Sequence, residues 1–172
     1  MGDDLTVAIV GLVGAVVGGG ISFLGQDLID RRSRRARKRS LAHAIASEME
    51  AYLDLMERRG HVDYARDVIE TNSKGAKRIP KNWISGFEKT ANPFPVLHAT
   101  LPEIGMLGSL SSDVARFYSR VTAVRATIMS ADEGNFEEAH PSDLAHIFQQ
   151  ELDLWLTAVS DGRTTIKALR SV

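Results

Sequence analysis

The sequence predicts an all-α protein: an N-terminal single transmembrane helix that continues through a basic collar into a cytoplasmic helical bundle. Three observations predict it. Leu5–Leu24 (LTVAIVGLVGAVVGGGISFL) is 20 residues without a charge. Seven of the nine residues 31–39 are Arg or Lys. Downstream, apolar residues return every three or four positions, the spacing of a helix face, and no alternating run marks a strand.

Met1–Asp4 is a short acidic leader. A secretory signal wants a positive leader, a shorter apolar run and a small-x-small cleavage site, so the run reads as an uncleaved signal-anchor. At a rise of ~1.5 Å per residue it reaches about 30 Å, the thickness of a bilayer's hydrocarbon core. Arg31, Arg32, Arg34, Arg35, Arg37, Lys38 and Arg39 follow it and set the topology. The N-terminus is expected outside, and the domain on the cytoplasmic side of a bacterial inner membrane. The same cations suit anionic lipid head groups. Within the span, Gly11, Gly14, Gly18, Ser22 and Gly25 line one stripe. Small residues at that spacing let helix backbones approach in lipid, which predicts a homo-oligomer.

The chain thus divides into a leader (1–4), a span (5–24), a basic juxtamembrane helix (25–40) and a domain (41–172). The net charge of −1 conceals a +7 collar and −8 over the remainder of the chain, so no DNA-binding footprint is expected. No cysteine is present, which excludes disulfides, thiol nucleophiles and Cys-based zinc sites.

From Gln26 onward no helix breaker intervenes, and Leu41, Ile45, Met49, Tyr52, Leu53 and Met56 keep a helical spacing. Span and segment are expected to form one helix of roughly 50 residues. Gly60 interrupts the pattern softly; Val62, Ala65, Val68 and Ile69 resume it, and Asn72–Gly75 ends it. A connection over 74–94 carries Trp83, Phe87 and Phe94, a candidate docking surface unless packed, with a short helix expected over 81–89. Pro95 starts a helix that Pro102 kinks or splits and Gly108 stops. Ser111-Ser112-Asp113 reads as an N-cap cluster for a helix whose face is Val114, Phe117, Tyr118, Val121, Val124 and Ile128. After the polar loop Ala131–Pro141, Ser142 is expected to cap a last helix reaching Arg170, with a weak point at Gly162.

The block Phe94-Pro95-Val96, Ile104-Gly105-x-Leu107 and Val114-x2-Phe117-Tyr118, behind a span and an Arg-rich collar, resembles a widespread group of small bacterial single-span membrane proteins. In that group a phrase like FPVYEANAxxIGLL precedes a helix with an FY pair. This chain departs from it at Leu97-His98 and Thr100, where the group tends to have Tyr-Glu and Asn. The resemblance implies a bacterial origin and this architecture, and nothing catalytic. The block is expected to wedge a short helix against the 112–130 helix.

Chemistry-bearing patterns are sparse. His43, His61, His98, His140 and His146 include no i, i+4 pair with a carboxylate, and neither a metal nor a cofactor is expected. Arg37-x5-His43 loosely matches the Arg–His spacing of HEPN-type ribonucleases, where Arg steadies phosphorane charge and His moves a proton. Any arginine of the collar could supply such a spacing. The leading expectation is therefore a non-catalytic, membrane-anchored module that self-associates and recruits or regulates a cytoplasmic protein partner. The alternative is an oligomeric pore or permeabilising effector, for example in phage defence. With only Thr6 and Ser22 polar in the span, a wide lumen fits less well. The ribonuclease, with Arg37 and His43, ranks third.

Overall fold

Leu41, Ile45, Met49, Leu53 and Met56 are all buried, so one face of the first helix is apolar throughout its second half. A computed structural model of the chain describes residues 3–81, 83 and 92–172, with side chains from residue 30 onward. Helix α1 is Asp3–Arg58. The chain divides into two compact units, Met1–Ser40 and Leu41–Val172. Among the described residues every element is helical, so the all-α expectation holds. None of the helices there carries a stretch long and apolar enough to cross a membrane, and the side chains of Leu5–Leu24 lie outside that set.

Gly60 breaks the helix more sharply than its sequence context suggests. Its φ of 63° is left-handed, a region that a residue without Cβ enters freely. Helix α2 (His61–Ser73) starts directly behind it. At its far end Asn72 is buried and bonded on both sides of its amide. Its Nδ2 donates to the carbonyls of Val68 (2.8 Å) and Arg78 (2.7 Å), and its Oδ1 accepts from Arg78 N–H (3.1 Å). That fixes the exit of the chain. The short helix expected over 81–89 falls mostly on residues 82 and 84–91, outside the described residues.

Helix α3 (Pro95–Thr100) passes into a 3₁₀ turn, Leu101–Leu107. Pro102 causes the change, because it has no N–H to give the carbonyl four residues back. Gly108, at φ 65°, closes the turn. Helix α4 (Leu110–Asp132) follows so closely that the expected Ser111-Ser112-Asp113 cap does not form. The N-cap is Ser109, with no side-chain bond, and the serine hydroxyls donate backward instead. Ser111 bonds Gly108 O (2.6 Å) and Ser112 bonds Ser109 O (2.8 Å).

Helix α5 (Pro141–Arg170) starts two residues earlier than a Ser142 cap requires. Proline occupies its first position, so His140 is the cap, and the His140 Nδ1 accepts from Ser142 N–H at 3.3 Å. The helix runs unbroken through Gly162, which is buried, not a weak point.

Within Leu41–Val172, α5 lies antiparallel to the second half of α1, as Arg163–Glu57 (3.3 Å) and Arg170–Glu50 show. It is antiparallel to α4 as well, through Arg120–Asp161 and Thr127–Glu151. The α1–α5 pairs are exposed and mark register more than they stabilise. Stability comes from the apolar interior. Ile45, Met49, Val114, Phe117, Val121 and Leu169 are almost completely removed from water. A second cluster, Val68, Ala131, Leu144 and Phe148, joins α2 to α4 and α5.

Candidate functional site

Two features concentrate the polar and aromatic side chains of the domain. The first is a junction at Glu48. Pro95, Val96 and Leu97 open α3, and the N–H groups of a first helical turn have no partner inside the helix. Phe94, the N-cap, cannot supply one. Glu48, half-buried on α1, does so from another helix. Its Oε1 accepts from Val96 N–H (2.6 Å) and its Oε2 from Leu97 N–H (3.1 Å). The same Oε2 accepts from the Tyr118 hydroxyl at 2.7 Å. One carboxylate thereby joins α1, α3 and α4.

Aromatic packing encloses the junction. The Phe94 ring meets Tyr118 at 4.4 Å between centroids and Tyr52 at 4.9 Å. Burial, and then the neighbouring Glu48 carboxylate, push the Tyr118 phenol well above its ordinary value of 10.0. It stays a neutral donor. Phe94 of the FPV letters and Tyr118 of the FY letters thus share one place.

The second feature is a cavity of about 140 Å³ among α1, α2, α4 and α5. Its wall is mainly apolar and aromatic, with Tyr52, Trp83, Val124, Ile128, Phe148 and Trp155 as principal contributors. Trp83 lies on the His61 ring (5.4 Å, 25° between planes) and edge-on to Tyr64 at 4.8 Å. Arg59, Arg125 and Glu151 bring charge to the same wall. Glu151 is held in place by Thr127, whose hydroxyl donates to its Oε1 at 2.9 Å. Its Oε2 is buried and has no hydrogen-bond partner among the described residues. Such an atom costs about 1–3 kcal/mol unless something donates to it.

The residues singled out from the sequence fall in three places. Arg31, Arg32, Arg34, Arg35, Arg37 and Arg39 are exposed and Lys38 is half-buried, all in the first unit. Gly11, Gly14, Gly18, Ser22 and Gly25 lie within α1, outside the residues whose side chains are described. Of the candidate docking surface, Phe94 is buried in the core and offers no surface. Trp83 is half-buried in the cavity wall, and Phe87 lies outside the described residues. Arg37 and His43 are each exposed, in different units. Among the described residues no three His, Asp or Glu side chains are grouped to hold a metal ion.

Compared with family models, curated proteins and solved structures, the chain finds no match in any of the three. Glu48 and Glu151 are not among the residues the sequence singles out. Both stand among apolar helix neighbours, Ile45 and Tyr52 beside Glu48 and Phe148 and Trp155 beside Glu151, which is a signal the sequence carries; what it does not carry is their partners, which lie 24 to 70 residues away.

Proposed function

We propose that the chain is a membrane-anchored, self-associating helical module that binds or regulates a cytoplasmic protein and performs no catalysis. The carrying observation is the mostly exposed basic run at 31–39, six residues behind 20 uncharged ones and in the same unit, Met1–Ser40. Each Lys or Arg held near an anionic leaflet contributes about 1 kcal/mol to attachment. The span does the anchoring, the collar orients it, and the Gly11–Gly25 stripe brings copies together. A non-catalytic role agrees with how the ordered polar groups are used. Glu48 and Tyr118 tie helices to one another, and Asn72 ties the end of α2 to the chain that leaves it, so all three serve the fold.

The test is the mass of the full chain in lipid nanodiscs beside that of a chain beginning at Leu41. The full chain is expected in the membrane fraction as a defined oligomer, and the shortened one as a helical, soluble monomer. Replacing Gly14 and Gly18 with Leu should shift the full chain toward monomer. A full chain that leaves the membrane in mild salt would remove the anchor. A monomer in lipid would remove self-association.

A further inference from the structure

We infer that the cavity between α1, α2, α4 and α5 is a binding site for a small neutral molecule: one aromatic ring carrying an O–H or N–H donor. Size sets the ring. An apolar cavity of ~150 Å³ accepts benzene, and this one measures about 140 Å³. The wall suits a ring, since Tyr52, Trp83 and Trp155 offer faces and edges and Val124 and Ile128 offer methyl groups.

The donor follows from Glu151. Glu151 lines the cavity; Thr127 uses one of its oxygens, and the other is buried and has no partner among the described residues. An occupant that donates there removes the desolvation cost of that atom, which an isosteric hydrocarbon cannot do. Neutrality follows from the mixed charge of the wall: Arg59 and Arg125 oppose a cation there, and the Glu151 carboxylate opposes an anion. This goes beyond the membrane reading and depends on none of it.

The protein supplies its own reporter. It has two tryptophans, Trp83 and Trp155, and both line the cavity. The experiment titrates the full chain in nanodiscs with p-cresol and with p-xylene, which has a methyl in place of the hydroxyl. Binding is read by calorimetry and by tryptophan emission. Saturable binding of p-cresol, at least about tenfold tighter than p-xylene, is expected from a hydrogen bond to a charged acceptor. In Glu151→Gln a single amide oxygen must serve both Thr127 and the ligand, so that preference should shrink severalfold. Equal affinity for the two compounds, or no saturable binding of p-cresol, overturns the proposal. So does tighter binding of benzylammonium than of p-cresol. The comparison of two ligands on the unaltered chain decides the matter even if Glu151→Gln fails to fold. Loss of the anchor or of self-association would leave this result unchanged.

Discussion

Replacing Glu48 with alanine is expected to lower the unfolding free energy of the Leu41–Val172 unit by about 3 kcal/mol. Three donors lose their acceptor at once: Val96 N–H, Leu97 N–H and the Tyr118 hydroxyl. Tyr118 is buried, so water replaces little of what is lost there. For a domain of this length the melting temperature should fall by roughly 10 °C. Glu48→Gln is the informative companion. All three partners are donors, so the amide nitrogen of glutamine would face a donor, and the substitution should recover less than half of the loss. A Glu48→Gln protein as stable as the original would mean that charge and double acceptance at this site contribute nothing.

Tyr118 adds a pH signature to the same junction. Its phenol titrates above its ordinary value of 10.0 in the folded state, because burial and Glu48 both oppose the phenolate. Above about pH 10 an unfolded tyrosine releases its proton while the folded one keeps it. The unfolded state then binds fewer protons, so stability declines as pH rises through that range. Lysines titrate nearby, so the quantity to measure is the difference between the original protein and Tyr118→Phe. At neutral pH the variant should be about 1.5 kcal/mol less stable. The gap should narrow above pH 10. A gap that stays constant to pH 11.5 would mean the phenol is not held neutral by the fold.

The parts of this domain that were legible in its sequence are those decided by a single helix. Val114, Phe117, Val121 and Ile128 fall on one face at helical spacing, and that face is buried. Pro102 splits its segment because the missing N–H is a property of the residue itself. The caps differ from the sequence expectation for a local reason as well. Pro141 at the first helical position makes its predecessor His140 the cap, although serine is the commoner capping residue. Of the junction, the letters FPV and FY marked two of the three sides. Glu48 stands one turn from Ile45 and Tyr52, on the margin of the apolar face, but what donates to it is set only when α3 is laid across it. The cavity is less legible still, since it consists of space left between four helices and one carboxylate oxygen. No spacing along the chain records that.

Gly162→Ala is expected to destabilise the protein by about 2 kcal/mol, although alanine at an ordinary mid-helix site would stabilise it by about 1 kcal/mol. The sign is decided by Phe117. A Cβ at position 162 would stand 2.7 Å from Phe117 Cε2 and 2.8 Å from its Cδ2, with Leu53 Cδ1 at 3.5 Å. Phe117 is fully buried, so its ring can retreat only by displacing other core side chains. Seen along α5 alone, the glycine is a helix-weakening residue. Seen across the interface, it is the hollow that lets α5 close onto α4 and α1. The check is a double-mutant cycle with Phe117→Leu, a smaller side chain that leaves the methyl room. In that background Gly162→Ala should be close to neutral or mildly stabilising, giving a coupling of about 2 kcal/mol. A rise in melting temperature for Gly162→Ala alone would place α5 farther from Phe117 than described. Equal losses in both backgrounds would trace the effect to the helix itself and remove Phe117 as its cause.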